Sequence, residues 1–334
     1  MTNEVPLTFD YIADQLYEGN IFTGLHPMIR KSWTRYCYHF SHIDNIISIL
    51  NTGKVYSRSK SKELKLMQND NASQDVINQT NILVKDYVRL YFRPKTPTQY
   101  HNEGLRNLRT TTTLNAHCPF PVFLLFDLKQ VLTSENSFFC KHSLAHSSEY
   151  HLCNTPLELA NFPFSKIYHD RSFSGAQRNE IISHRQAEIV VPNEMSLNTL
   201  KKIMVRSIAE KETLMYMLSA DSKKKYNELI QIDSKKIVFF GRWTFIEEVI
   251  GMSNKFIIKT NRGEQVTNYH IQVALIDNAT SITYTYDNST WLCVPEFEIS
   301  FPTDIANYTL KILLNQNIVY WNNFNIDAKL DLPY

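Results

Sequence analysis

One carboxylate, Glu188, stands at the junction between a polar segment and a short apolar run. Residues 183–187 precede it, and three β-branched residues, 189–191, follow it before Pro192. β-branched residues favour strands, and proline ends a strand because it has no N–H to donate to the ladder. We therefore expect Glu188 at the mouth of a buried strand, where a carboxylate is exposed, paired or catalytic. Taken alone, a plain charged residue at a strand end is the simpler interpretation.

Basic and aromatic side chains are interleaved in the segment just before Glu188. The candidates for contact with a nucleic acid are Tyr168, His169, Arg171, Arg178 and Arg185. Aromatic rings stack on unpaired bases and arginines hold phosphates, so this composition suits a single-stranded nucleic acid. A solvated loop without a ligand is the alternative interpretation.

Cysteine and histidine side chains cluster between residues 137 and 153, at Cys140, His142, His146, His151 and Cys153. The spacing matches no common structural zinc site, and a chain with 11 histidines contains such groupings by chance. We therefore predict no metal site here, and a Cys–His nucleophile is equally unsupported.

Composition restricts the possible classes of function. The chain has 334 residues, of which 43% are hydrophobic and 20% charged, and its net charge is +2. These values are ordinary for a globular protein, and they leave any basic surface local rather than global. With only 8 glycines and no GxGxxG or GxxxxGK[ST] pattern, a bound nucleotide is expected to be held by side chains and strand ends.

Cysteine usage and the apolar runs predict the compartment. The five cysteines are odd in number and form no CxxC pair, which is typical of reduced thiols in the cytoplasm. The N-terminal residues lack a signal-peptide pattern, and the longest apolar runs are too short to span a bilayer. We expect a soluble cytoplasmic protein without a membrane partner.

The elements that position the candidate residues read as strands followed by helix or turn. Residues 36–40 are aromatic and strand-like, and they lead into a helical pattern that ends at Gly53. Residues 87–92 alternate as a strand, after which Pro94 and Pro97 impose a rigid turn. A polar insertion is expected over residues 59–82.

The C-terminal third has a different character. From residue 236 onward, β-type segments alternate with turn signals such as Asn261-Arg262-Gly263-Glu264. We expect two domains, residues 1–232 and an appended, mostly-β module at residues 233–334. Residues 304–314 are predicted to form a closing helix.

Three segments together resemble a known family. Residues 38–46 (YHFSHIDNI), 91–97 (YFRPKTP) and 185–191 (RQAEIVV) are similar to the signature blocks of DarT-type ADP-ribosyltransferases. These enzymes are toxins that move ADP-ribose from NAD onto a nucleic-acid base. The blocks occur in the same order within about residues 35–218, with a weaker match at residues 138–145. One departure is visible, because the family usually has arginine at the middle of the proline-flanked turn, where this chain has Lys95.

The resemblance implies a fold and a set of roles. The fold would be α+β, an ADP-ribosyltransferase core of two packed sheets with a cleft for NAD. The catalytic carboxylate would be Glu188, which stabilises positive charge on the ribose and takes a proton from the attacking base. Arg93, with Lys95 as helper or alternative, would hold the pyrophosphate. The other NAD contacts would be His39 at the ribose or adenosine side, with Ser41 and Asn45 at the nicotinamide.

The predicted function is therefore NAD-dependent mono-ADP-ribosylation of a base in single-stranded nucleic acid, by a toxin or phage-defence effector with an antitoxin partner. DNA is favoured as the acceptor because DarT-like relatives generally use it. RNA and protein acceptors remain alternatives. A catalytically inactive, nucleic-acid-binding relative is a further alternative, and the lysine at position 95 is its best support.

Overall fold

A computed structural model describes residues 6–66, 82–105, 117–144, 151–264 and 267–326. The chain divides into two compact units, each made of two stretches of sequence. Unit 1 comprises Met1–Asn102 and Phe123–Met204, and unit 2 comprises Glu103–Val122 and Val205–Tyr334. The expected boundary after residue 232 thus lies within unit 2. Of the expected polar insertion, residues 67–81 lie outside the described part of the chain.

Unit 1 contains the helices α1 to α9. Their bounds are Phe9–Glu18, Pro27–Trp33, Ile43–Thr52, Arg58–Glu63, Pro97–Asn102, Leu128–Leu132, Pro156–Ala160, Phe164–Ile167 and Arg178–His184. Short 3₁₀ turns lie at Ile82–Asp86, Gly175–Gln177 and Leu197–Thr199. The helix α3 is capped at its N-terminus by His42, whose side chain accepts a hydrogen bond from the Asp44 amide, and at its C-terminus by Gly53 in the left-handed conformation.

The strands of unit 1 are β1 to β8. Their bounds are Tyr36–His42, Lys54–Tyr56, Tyr87–Tyr91, Pro121–Asp127, Phe138–Cys140, Glu188–Pro192, Glu194–Ser196 and Leu200–Val205. Six of them are consecutive neighbours in one sheet, in the order β5-β6-β3-β1-β4-β8, while β2 and β7 form a separate two-stranded ribbon. The expected α+β class is confirmed, with one large sheet and a ribbon where two packed sheets were expected.

The register at the centre of this sheet decides which side chains share a face. In the antiparallel pair β3–β6, Tyr91 lies opposite Glu188 and Arg89 lies opposite Val190. In the pair β5–β6, Cys140 also lies opposite Glu188. Because side chains alternate along a strand, Arg89, Tyr91, Glu188 and Cys140 point to the same side.

Unit 2 is mostly β, as expected for the C-terminal region. Its strands β9 to β16 are Ile230–Ile232, Phe245–Gly251, Lys255–Asn261, Asn268–Asp277, Thr283–Leu292, Glu296–Ser300, Asn307–Leu314 and Asn317–Asn325. The strands β10, β11 and β14 form a three-stranded sheet in the order β10-β11-β14, and four others form a sheet in the order β13-β12-β15-β16. The helices α10 and α11 are Ile208–Met217 and Ala220–Tyr226, and a 3₁₀ turn lies at Asn227–Leu229.

The predicted closing helix at residues 304–314 is wrong. Residues Asn307–Leu314 form β15, in which exposed or half-buried positions alternate with buried ones. Tyr308, Leu310, Ile312 and Leu314 all face the core of unit 2. This period of two is the pattern of a strand with one buried face.

Residues from three parts of the chain build the core of unit 2. Leu105 and Ala209 are buried in the same cluster as Tyr269 and the β-strand residues, and the Tyr269 hydroxyl donates to the Leu105 carbonyl. The helix α10 is tied to β16, because the Trp321 amide donates to Thr213 Oγ1. Residues 205–232 therefore belong with the β strands that follow them.

Among the helices described, none is long and apolar enough to cross a membrane.

Glu103 joins the first stretch of unit 2 to the second. Its side chain is buried and accepts hydrogen bonds from the amides of Phe240 at 3.0 Å and Gly241 at 2.7 Å. A buried carboxylate with two amide donors is costly to remove, because both N–H groups then lose their acceptor.

We expect Glu103→Ala to lower the free energy of unfolding by about 2 kcal/mol or more, because it leaves two partly buried amides without their acceptor. Glu103→Gln is the matched control, since its amide oxygen still accepts one of the two hydrogen bonds. Denaturant unfolding of the full chain measures both changes. A loss for Glu103→Ala below about 0.5 kcal/mol would contradict the assignment of residues 103–105 to unit 2.

Candidate active site

Glu188 is the first residue of β6, and its side chain is completely buried. The polar residues before it form α9, and the backbone turns from that helix into the strand through Arg185, Gln186 and Ala187. Glu188 thus lies at the mouth of a strand, as the sequence pattern predicts. Its burial means that the charge must be compensated by groups inside unit 1.

Four donors surround the Glu188 carboxylate. Arg89 contacts both oxygens, with Nε 3.0 Å from Oε2 and Nη2 in close contact with Oε1. The Ser143 hydroxyl donates to Oε1 at 3.3 Å, and the Leu144 amide donates to Oε2 at 3.4 Å. Such bidentate, charge-assisted bonding holds the carboxylate in one orientation.

Arg89 was not among the predicted site residues. It lies on β3, where Val88 and Leu90 are buried on the opposite face. The alternation of residues 87–91 was the available signal, because it puts a charged side chain on the same face as two tyrosines in the middle of a strand. A charge in that position needs a partner of opposite charge.

His39 lies on β1, the strand that neighbours β3 in the sheet. Its Nδ1 is 3.2 Å from the Arg89 carbonyl oxygen, and its side chain is half-buried. Because a carbonyl only accepts, Nδ1 carries the proton and Nε2 is left as an acceptor. Burial lowers the pKa of His39, so this ring is neutral at neutral pH.

Ser41 and Asn45 are held together as expected of neighbours at the junction of β1 and α3. The Asn45 side-chain amide donates to Ser41 Oγ at 3.1 Å. Ser41 is buried and Asn45 half-buried. His39 and Ser41 are two residues apart on β1, so they project from the same face of the strand.

Arg93 is buried, with an exposed side-chain fraction of 1%. Its guanidinium donates to the carbonyl groups of Pro94, Ile167 and His169 and to Asp170. It also stacks on the Trp33 ring at 4.4 Å. These contacts argue against the predicted role of Arg93 as a pyrophosphate ligand.

Lys95 is the more exposed of the two cations in the proline-flanked turn. It is half-buried and adopts the left-handed conformation, with φ of 56°. Its amide donates to Gln99 Oε1 at 2.6 Å, which fixes the turn before α5. The turn therefore presents Lys95 rather than Arg93 toward the outside of unit 1.

The predicted acceptor residues divide into buried and exposed groups. Tyr168 is completely buried, which is a correction, because a buried ring cannot stack on a base. Arg171 and Arg178 are exposed. Arg185 is half-buried, stacks on the Phe173 ring at 4.4 Å and donates to Nδ1 of the half-buried His169 at 2.9 Å. Burial and the nearby arginines lower the pKa of His169, which keeps that ring neutral and able to accept.

Cys140, His142, His151 and Cys153 of the cysteine–histidine cluster line a cavity of about 600 Å³, together with neighbours that include Ser143. Ligand atoms of His151, Cys153 and Glu158 lie within 4.8 Å of one another. The Glu158 carboxylate forms a capping box with Thr155. His146 lies outside the described residues, as does Ala145 at the end of the weaker sequence block. The absence of a metal stays a prediction.

A comparison with family models identifies the chain. The model described as "ssDNA thymidine ADP-ribosyltransferase, DarT" matches residues 38–239, more than half of the chain. The chain belongs to the DarT family. The predicted DarT-type family is thereby confirmed, together with its class of enzyme, the ADP-ribosyltransferases. The match spans every residue of the predicted site.

Solved DarT structures resemble this chain at low sequence identity. Thermus sp. 2.9 DarT in complex with ADP-ribosylated ssDNA is 20% identical, with 60% of this chain and 95% of that chain covered and a TM-score of 0.46. The same protein in complex with NAD⁺ is 20% identical, with 59% and 92% covered and a TM-score of 0.44. Thermosipho africanus DarTG in complex with ADP-ribose is 15% identical, with 65% and 53% covered and a TM-score of 0.46. A comparison with curated proteins found no match.

We expect Arg93→Ala to lower the free energy of unfolding by about 2–4 kcal/mol, because it removes a buried guanidinium and leaves its carbonyl partners unsatisfied. Lys95→Ala, in the same turn, should cost less than about 1 kcal/mol. Denaturant unfolding followed by tryptophan fluorescence measures both. Equal stabilities of the two variants would show that the contacts of Arg93 are not structural.

Proposed function

We propose that this protein transfers ADP-ribose from NAD to thymidine in single-stranded DNA. The single observation that carries the proposal is the DarT family match, which spans all the predicted site residues from His39 to Glu188. The geometry of unit 1 supports it, because a buried, fully hydrogen-bonded carboxylate stands where the family resemblance expects the catalytic one.

The chemistry asks for a carboxylate at this position. The bond between nicotinamide and ribose breaks, nicotinamide leaves with the bonding electrons, and positive charge develops on the ribose. A base nitrogen then forms the new bond to the ribose carbon and loses its proton. In our proposal Glu188 stabilises the developing charge and accepts that proton.

The acceptor atom follows from the chemistry of thymine. In a thymidine nucleoside the ring nitrogen at position 3 is the nitrogen that carries a proton, and in a duplex it is engaged in base pairing. A single strand therefore offers this nitrogen freely, whereas a duplex must be opened. By contrast, no feature of the described residues favours RNA or protein as the acceptor.

We assign the NAD contacts to His39, Ser41, Asn45 and Lys95. The neutral His39 offers Nε2 as an acceptor for a ribose hydroxyl. The ammonium of Lys95 provides positive charge for the diphosphate, with less geometric specificity than an arginine would have. This assignment replaces Arg93, whose guanidinium is committed within unit 1.

We assign binding of the acceptor strand to the exposed segment around Arg171 and Arg178. Arg185 fixes this segment, because it donates hydrogen bonds to His169 and to the Arg171 carbonyl. A dedicated antitoxin protein and a role as a toxin follow from the family resemblance and form part of the proposal. A cytoplasmic location is also part of it, and the free state of all five cysteines supports this location.

The test is incubation with NAD and matched oligonucleotides, followed by mass spectrometry. Single-stranded DNA with thymine should gain one ADP-ribosyl group, whereas the duplex and a strand without thymine should not. RNA strands and a protein pool complete the panel. Labelling of RNA or protein alone overturns the DNA assignment, and no labelling in any arm identifies an inactive relative.

We expect Glu188→Gln to lower the transfer rate by about a hundredfold or more, because the amide has the shape of the carboxylate but not its charge. NAD binding, measured by calorimetry, should persist. Glu194→Gln, at an exposed position on the strand β7, which follows β6 in sequence, is the matched control and should transfer normally. A Glu188→Gln variant with a normal rate would remove this residue from catalysis.

We expect Arg171→Ala and Arg178→Ala to lower the affinity for single-stranded DNA by the same factor whatever the DNA sequence, because exposed arginines contact phosphates rather than bases. Each substitution should reduce the slope of log affinity against log salt by about 0.7. Arg35→Ala, at another exposed position of unit 1, is the control. Unchanged affinity and slope in both loop variants would place the acceptor strand elsewhere.

A further inference from the structure

We propose that Arg89 is the positioning residue for the catalytic carboxylate in this chain. The inference rests on the proposed function, because it assigns the catalytic role to Glu188. It concerns a residue on β3 that lies outside the predicted site.

The turn itself cannot supply an arginine to the site. Its middle position is Lys95, and its only arginine, Arg93, is buried with its guanidinium bonded to carbonyl groups and to Asp170. An ammonium does not replace a guanidinium at a carboxylate, because it lacks the planar pair of donors that bonds both oxygens at once.

Arg89 provides that pair of donors from another element. Its Nε and Nη2 contact the two oxygens of Glu188 separately, which is the fork geometry of a bidentate pair. The register of β3 and β6 explains the reach, because Arg89 is opposite Val190 and therefore diagonal to Glu188 on the same face.

A third group closes the arrangement. Arg89 Nη2 also donates to Ser143 Oγ at 3.2 Å, and Ser143 donates in turn to Glu188 Oε1 at 3.3 Å. The carboxylate is thus hydrogen-bonded to both Arg89 and Ser143, and these two residues are hydrogen-bonded to each other. A rotation of Glu188 would break bonds to Arg89 and Ser143 together, so its orientation is set before any substrate binds.

Exposure distinguishes the two members of the pair. The Glu188 side chain is completely buried, whereas 29% of the Arg89 side chain is exposed. In our proposal the ribose reaches the carboxylate on this partly exposed side of the pair.

The experiment measures nicotinamide release from NAD by the full chain, in the presence of whichever acceptor it labels. Arg89→Gln should lower kcat by about a hundredfold while the KM for NAD changes less than about threefold, because the carboxylate loses its orientation but the NAD contacts remain. Arg89→Lys should retain about a tenth of the rate, since it keeps the charge without the fork. The matched control is Arg242→Gln, which breaks a bidentate pair with Glu264 in unit 2 and should leave kcat unchanged.

Two further measurements separate positioning from a structural role. Added guanidinium ion should raise the rate of Arg89→Ala about tenfold, whereas an equal concentration of ammonium should not. In a Glu188→Gln background, Arg89→Gln should cause almost no additional loss, because the two residues act as one unit.

Three outcomes would overturn the proposal. The first is a kcat for Arg89→Gln within about threefold of the unmodified protein. The second is a loss of rate from Arg89→Gln that is as large in the Glu188→Gln background as in the unmodified protein, together with no rescue by guanidinium. The third is an unmodified protein that releases no nicotinamide with any acceptor, which would overturn the proposed function as well. Release of nicotinamide with RNA or protein in place of DNA would change the acceptor but leave the Arg89 test intact.

Discussion

The burial of one negative charge is the constraint on which unit 1 depends. A carboxylate with no exposed surface is stable only when donors replace all the water that it has lost, and Glu188 obtains them from Arg89, Ser143 and Leu144. These donors come from a strand and from the segment after β5. The central sheet must therefore keep the register of β5, β6 and β3, since a slip of one residue would turn Arg89 to the opposite face.

The same site shows how two arginines only four positions apart acquire different tasks. Arg89 lies within the strand and reaches the carboxylate, while Arg93 lies past its end and is enclosed by carbonyl groups, Asp170 and the Trp33 ring. Backbone direction after β3 separates them, because the turn that begins at Pro94 directs Arg93 into unit 1. Residue type alone does not assign function to a cation; the groups that surround its guanidinium do.

Local patterns in the sequence were sufficient for much of the fold and for one end of the site. The β-branched run after Glu188, the helix that ends at Gly53 and the mostly-β character of the C-terminal region all depend on neighbours in sequence, and each is present in the structure. What sequence could not show depends on distant partners. Arg89 and Glu188 are 99 residues apart, and the burial of Tyr168 is equally non-local. The prediction of a helix at β15 is wrong because a short apolar run with mixed spacing fits both the helical period and the strand period.

The composition of the two units has a consequence for how the protein is made. Residues 103–122 belong to unit 2, yet most of that unit begins only at residue 205. A ribosome delivers this early stretch long before the strands that it packs with, while unit 1 also waits for residues 123–204. Unit 1 therefore has all of its sequence once residue 204 is made, whereas the first stretch of unit 2 waits for strands as late as β16.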